Sequence, residues 1–319
     1  MAPAGHAGLR PAADFVVPPR LQPGDTVRFV SPASTPERSS VERSARYFAE
    51  LGLRAEIAPH AFDEYGYLAG RDEDRLADLN NAIRDPAVDA IIATRGGKGA
   101  YRIADGLDFD AMRERPKLLV GFSEITILQM ALLKHCRLAS LHGACWDPGT
   151  FGEPTAASFR NAIFTTGPIS AESDLTEPTA KLTTTGHVTG RLIGGNQDSI
   201  ATGAGWALPD FDGAILLLEA VNMRLGQIDR QLTMLRNAGH LRGLVGIAIG
   251  QYTECEPDAD TRGDWTAIDV LRDRLSAFGV PILGGLRIGH GRDPVAIPIG
   301  TMADLDADTG ELRVAAAVG

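Results

Sequence analysis

Three cysteines, Cys136, Cys145 and Cys255, are too few and too widely spaced for a disulfide framework or a C-x-x-C metal knuckle. A reducing compartment suits such a chain, and the cytoplasm is the expected location. No run of 18 apolar residues occurs, and Met1 to Pro19 has no apolar stretch of signal-peptide length, so neither a membrane span nor export is expected. No Lys/Arg-rich segment interleaves with aromatics, and the formal net charge is -10. That balance speaks against nucleic acid and anionic membranes as partners, and leaves a small ligand in a locally basic pocket open. H-E-x-x-H and the spacings of a P-loop, a dinucleotide fingerprint and an EF-hand are missing too, so no metal or cofactor is expected. Glu254, Glu256, Asp258 and Asp260 read as a solvated acidic loop.

What is present is the balance of a globular protein: 319 residues, 44% hydrophobic and 23% charged, enough for two domains with substantial cores. Residues 1–20, rich in Ala, Gly and Pro, read as a flexible arm. From there to about 166, short β-rich runs alternate with helical stretches. Strands are expected at Thr26 to Val30, Arg54 to Ala58, Val88 to Ala93 and Leu118 to Gly121, and Leu76, Leu79 and Ile83 mark one helix face. This alternation predicts an α/β domain with a doubly wound parallel sheet, whose ligands gather at the carboxyl ends of the strands. Residues 167–185, polar and without periodicity, read as a linker. Residues 186–319 then form a second, β-rich α+β domain, with strands near Gly213 to Glu219 and Leu244 to Gly250 and helices near Ile228 to Leu241 and Trp265 to Phe278.

The chemistry concentrates at strand ends. Ser123, in Gly121-Phe122-Ser123-Glu124-Ile125-Thr126, follows the apolar run Leu118-Leu119-Val120. A strand-to-helix turn projects a serine beside unpaired helix N–H groups, the geometry acyl transfer needs. Ile125 stands where the G-x-S-x-G elbow has its second glycine, and a serine N-cap explains the same six residues. A serine nucleophile requires a base, usually a histidine oriented by a carboxylate. Of seven histidines, His142 in Leu141-His142-Gly143 and His290 in Gly289-His290-Gly291 are best placed, because glycine neighbours let backbone approach and leave the ring accessible; a turn histidine bonded to a carbonyl is the alternative for each. Glu219 ends the apolar strand Ala214 to Leu218, where a charge must be solvated or paired. A salt bridge to Arg224 or Arg230 is the simpler account, and a histidine partner the functional one. The glycine-rich loop Arg95-Gly96-Gly97-Lys98-Gly99 does not fit a phosphate cradle, but Gly97 and the amide of Glu124 are candidate oxyanion donors.

In this order, these segments resemble the LD-carboxypeptidase family of serine peptidases, which includes the microcin-immunity hydrolases. The resemblance runs from about Leu21 through nearly the whole chain. It rests on Leu21-Gln22-Pro23-Gly24-Asp25, Arg95-Gly96-Gly97, Leu119 to Thr126, Leu141-His142-Gly143, Gly190 to Asn196, Leu218-Glu219, Ile228-Asp229-Arg230 with Leu232, and Gly289-His290-Gly291. It implies a catalytic triad of Ser123, Glu219 and His290 formed across two domains, a homodimer, and release of a terminal D-amino acid from a cell-wall-derived tetrapeptide without cofactor or metal. Lys98 and the stretch Ala220 to Leu225 depart from the muropeptide-cleaving pattern, with Lys98 and Arg224 adding positive charge. A self-immunity or natural-product hydrolase of a peptidyl-nucleotide-like amide is therefore the alternative, and a non-catalytic small-ligand binder on the same fold is the third reading.

Overall fold

The computed structural model describes residues 15–143, 152–257 and 262–319. Most of the expected arm, Cys145, Asp258 and Asp260 lie outside the described residues. In chain order the elements are β1 (Thr26–Val30), α1 (Arg38–Glu50), β2 (Arg54–Ile57), α2 (Asp72–Arg84), β3 (Ala90–Ala93), α3 (Phe109–Glu114), β4 (Leu118–Gly121), α4 (Thr126–Cys136), β5 (Ser140–His142) and α5 (Glu153–Phe164). They continue with β6 (Ile169–Glu172), β7 (His187–Asn196), α6 (Gln197–Thr202), β8 (Ala214–Val221), α7 (Leu225–Asn237), β9 (Gly246–Thr253), α8 (Ala267–Leu275), β10 (Ile282–Leu283), β11 (Ile297–Ile299), β12 (Met302–Asp306) and β13 (Glu311–Val314).

The first sheet has the order β11-β5-β4-β3-β1-β2, parallel except for β11. Its central strands are apolar throughout because both faces are covered. Ala90, Ile92, Leu118 and Val120 join one core cluster, while the intervening Ile91, Ala93 and Leu119 join the other. The chain reverses direction across this sheet between β1 and β3, and the crevice outside such a reversal is where an α/β sheet takes ligands. The β1–α1 loop and the glycine-rich loop after β3 flank it.

The second sheet, β10-β9-β8-β7-β12-β13-β6, is mixed. Strands β7 to β10 run parallel, and α6, α7 and α8 make the connections between them. Strands β12, β13 and β6 extend the sheet antiparallel. α7 turns Leu225, Ile228, Leu232 and Leu235 inward, the three-and-four spacing of an amphipathic helix. Among the described residues no helix is long and apolar enough to cross a membrane.

Two expected boundaries change. Residues 15–20 are not a free arm: Val16 N–H donates to Arg137 O and Ala139 N–H to Val16 O, both at 2.9 Å, and Arg20 N–H donates to Gly319 O at 3.1 Å. The segment 167–185 is not structureless either. It contains β6 and a 3-10 turn at Pro178–Leu182, and β6 is the edge of the second sheet.

Candidate active site

Ser123 opens a 3-10 turn, Ser123–Ile125, that joins β4 to α4. Its φ is 61°, the left-handed region that a side chain avoids unless its surroundings compel it. The N-cap reading does not hold, because the cap position belongs to Phe122, which makes no side-chain cap bond. Two glycines clear the space for this turn. A Cβ on Gly121 would lie 2.7 Å from the Ile125 side chain, so the residue replacing the elbow's second glycine is accommodated by the first. A Cβ on Gly96 would lie 2.8 Å from Ser123 Cβ, 3.0 Å from its Oγ and 3.2 Å from Glu124 N.

The glycine-rich loop is fastened beside the serine. Gly99 N–H donates to Glu124 Oε1 at 3.0 Å, and buried Arg75 donates to Gly99 O at 3.0 Å. Ser34 N–H donates to Gly96 O at 3.2 Å, and Lys98 N–H donates to Ser34 Oγ at 3.0 Å. Burial raises the Glu124 pKa, with the Gly99 amide and Lys98 opposing that shift. Sequence reasoning looked to the Glu124 amide alone; its side chain ties the two candidate oxyanion segments together.

Glu219 lies within β8, which runs on to Val221, and not at its end; the register with β9 shifts between Leu218 and Ala220. Such irregularities re-aim side chains next to functional sites. The carboxylate is completely buried, and Oε2 accepts from His290 Nδ1 at 2.7 Å. The arginines proposed for it are engaged elsewhere or not near: Arg224 donates to Pro257 O, and no salt bridge joins Glu219 to Arg230 among the described residues. His290 stands on the loop between β10 and β11, its ring packed at a tilt against Phe122 with centroids 4.8 Å apart. Gln251 holds that loop, accepting from Gly291 N–H at 2.8 Å and donating to Arg292 O at 3.0 Å. The glycines flanking His290 were legible as close-approach positions; Gln251, which both approach, and the contact with Phe122 were not.

Ser123 and His290 line two cavities together. One, about 560 Å³, lies at the sheet reversal with Glu37, Arg43, Arg95, Gly96 and Gly97 in its wall. The other, about 460 Å³, has Lys98, Glu124, Asp198, Asn222 and Gln227 in its wall as well as Gly97. Lys98 is not a free charge, because Asp198 accepts from Nζ at 2.9 Å. Burial opposes ionisation of Asp198, but the bond and charge of Lys98, with Gln231 and Gln227, outweigh it and lower its pKa. His142, the other candidate base, is buried and lines neither cavity. Burial lowers its pKa to about 4.

For metal, the described residues bring together His60, Asp63 and Asp74, with ligand atoms within 4.8 Å of one another. His60 Nδ1 is already bonded to Asp63 at 2.8 Å, and none of the three lines either serine cavity. An imidazole held by a carboxylate beside a strained serine and a glycine-rich loop can support acyl transfer with protein groups alone.

The comparisons with known families give the class, a serine-type carboxypeptidase and so a hydrolase. The chain belongs to the LD-carboxypeptidase family: residues 27–143 match the LD-carboxypeptidase N-terminal domain and residues 189–305 the C-terminal domain. It is 33% identical over 296 residues to a probable murein peptide carboxypeptidase of Bacillus subtilis, covering 91% of each chain. It is 31% identical to a murein tetrapeptide carboxypeptidase of Pseudomonas aeruginosa, covering 94% of this chain and 98% of the relative. A solved structure of MccF in complex with glutamyl sulfamoyl guanosine shares the fold, with a TM-score of 0.83 at 20% identity, covering 95% of this chain and 99% of that one.

Proposed function

We propose that this carboxypeptidase uses a Ser123-His290-Glu219 triad to release a terminal D-amino acid from a cell-wall-derived tetrapeptide. The observation that carries the reading is the 2.7 Å bond from His290 Nδ1 to a fully buried Glu219, on a histidine that shares both cavities with Ser123. With its Nδ1 proton committed to Glu219, His290 presents the Nε2 lone pair. It takes the Ser123 proton as Oγ attacks the carbonyl carbon, and returns that proton to the leaving amine nitrogen as the C–N bond breaks. Water then cleaves the acyl-enzyme by the same route in reverse. The N–H groups of Gly97 and Glu124 receive the oxyanion in this scheme. The relatives that carry murein peptides in their names support the substrate class. A homodimer in the cytoplasm, with the serine borne by the parallel sheet and the histidine by the loop that leaves the mixed one, belongs to the same reading.

The test is hydrolysis of a murein tetrapeptide followed by mass spectrometry. Ser123→Ala is expected to lower kcat by about 10⁶-fold, the scale set by loss of a serine nucleophile, while the fold persists by circular dichroism. Hydrolysis at the parent rate by the folded variant refutes the triad. Cleavage of an aminoacyl sulfamoyl nucleotide in place of the tetrapeptide reassigns the substrate to the self-immunity class. Absence of both activities together with silence toward a fluorophosphonate probe leaves a ligand binder.

A further inference from the structure

His142 ends β5 of the first sheet and is buried against the second. Its Nε2 lies 4.0 Å from Glu219 Oε1, the carboxylate oxygen that His290 does not hold. Among the described residues neither ring nitrogen of His142 has a hydrogen-bond partner, and neither does Glu219 Oε1. Two buried polar groups left without partners cost free energy separately, and the cost falls when they face one another. On the Nδ1 side the β7 backbone crosses closely: a Cβ on Gly195 would lie 2.9 Å from Nδ1 and 2.7 Å from Thr126 Oγ1. Phe122 sets the other wall: its ring meets His142 edge-on at 6.2 Å and packs at a tilt against His290 at 4.8 Å.

We infer that His142 is a positioning residue, whose neutral imidazole supports Glu219 through Oε1 from the protein interior while His290 engages Oε2 from the active-site side. The inference rests on the triad reading. Complete burial is the main reason the ring stays neutral; Glu219 opposes that effect and His290 adds to it. Tyr252 and Cys255 are also titratable neighbours of Glu219, and burial is the main cause that raises the pKa of each. A neutral ring has one N–H. With the proton on Nε2 it points a donor at the carboxylate, whereas the Nδ1–H tautomer would set a lone pair against a negative oxygen. A hydrogen bond forms here if the 4.0 Å separation shortens by about 1 Å. When His290 accepts the serine proton, a carboxylate restrained at both oxygens stays in the imidazole plane and stabilises the new cation without reorganising.

The experiment compares His142→Leu with His142→Gln, whose amide nitrogen replaces Nε2. His142→Leu is expected to lower kcat on a murein tetrapeptide by about 10–100-fold, the range commanded by outer-shell partners of metal-bound histidines, with KM within about twofold. Fluorophosphonate labelling of Ser123 slows in parallel, and His142→Gln restores most of both rates. In ¹⁵N-histidine NMR of the substrate-free parent, the resonance lost in His142→Gln reports an Nε2–H tautomer that stays neutral down to pH 5. Parent-like rates in His142→Leu, or no rescue by glutamine, overturn the inference. So does an Nδ1–H or cationic ring, and this readout decides alone if the leucine variant does not fold. Parent-rate hydrolysis by Ser123→Ala refutes the triad instead, while the tautomer of His142 is still read independently of turnover.

Discussion

The serine and the histidine are positioned by opposite means. Ser123 is set by its own neighbourhood: a φ of 61°, Gly121 two residues before it, and a glycine-rich loop packed so close that Gly96 has no room for a Cβ. His290 is set from a distance, by Glu219 71 residues away, Gln251 about 40 away and the ring of Phe122 from the other sheet. A nucleophile built into a turn is rigid wherever the turn folds. A base built from remote contacts exists only when both sheets are in place.

Breaking the remote arrangement gives the largest effect beyond loss of the serine itself. Glu219→Gln is expected to lower kcat by about 10⁴-fold, because an amide facing Nδ1 favours the wrong imidazole tautomer; steady-state kinetics with the tetrapeptide check it, and a loss below tenfold would leave His290 oriented by other groups. Breaking the local arrangement costs less. Gly96→Ala pushes against Ser123 and the Glu124 amide, and is expected to lower kcat by roughly 10²–10³-fold, the scale of one oxyanion donor, with fluorophosphonate labelling slowed alongside hydrolysis.

The buried histidine sharpens the contrast through pH. The folded pKa of His142, about 4, lies below the ordinary 6.5, so the unfolded chain binds more protons between those values. Its neutral burial is therefore fully compatible with stability above pH 6.5, and the contribution is lost as pH falls toward 4. By pH 5 this amounts to about 2 kcal/mol. Denaturant titrations of the parent at pH 7 and 5 should show that slope, and His142→Gln should flatten it. The smallest effect is expected where the two regions meet at the surface. Lys98→Met removes a pair with Asp198 that is exposed on the lysine side, and should change stability by less than about 1 kcal/mol; a Tm measurement at low and high salt checks it.

Legibility followed the same division. Strands β1 to β4 and the turn at Ser123 were readable because apolar runs and glycines mark them within a few residues, whereas β11 was assigned to the second domain with the rest of the C-terminal segment. Glu219 was noticeable as a charge in an apolar strand, yet its partner stayed open between arginines and a histidine, since only the β8–β9–β10 topology brings His290 alongside. β6 escaped notice because a four-residue edge strand with Ile169 and Ala171 inward and Ser170 and Glu172 outward has too short an alternation to stand out. Gln251 and Asp198 carry no local signal at all. His142 was placed by its glycine neighbour as a possible base, whereas burial between two sheets separates it from both cavities.

One crossing of the chain gives this division a mechanical side. Strand β10 belongs to the second sheet, but β11, separated from it by residues 284–296, is the edge of the first, pairing antiparallel with β5 from Ile297 opposite His142 to Ile299 opposite Ser140. His290 thus rides on a tether pinned at one end to each half of the molecule. Its imidazole is therefore aligned with the hydroxyl only while both anchorages hold, so the pairing of β11 with β5 counts among the supports of the base.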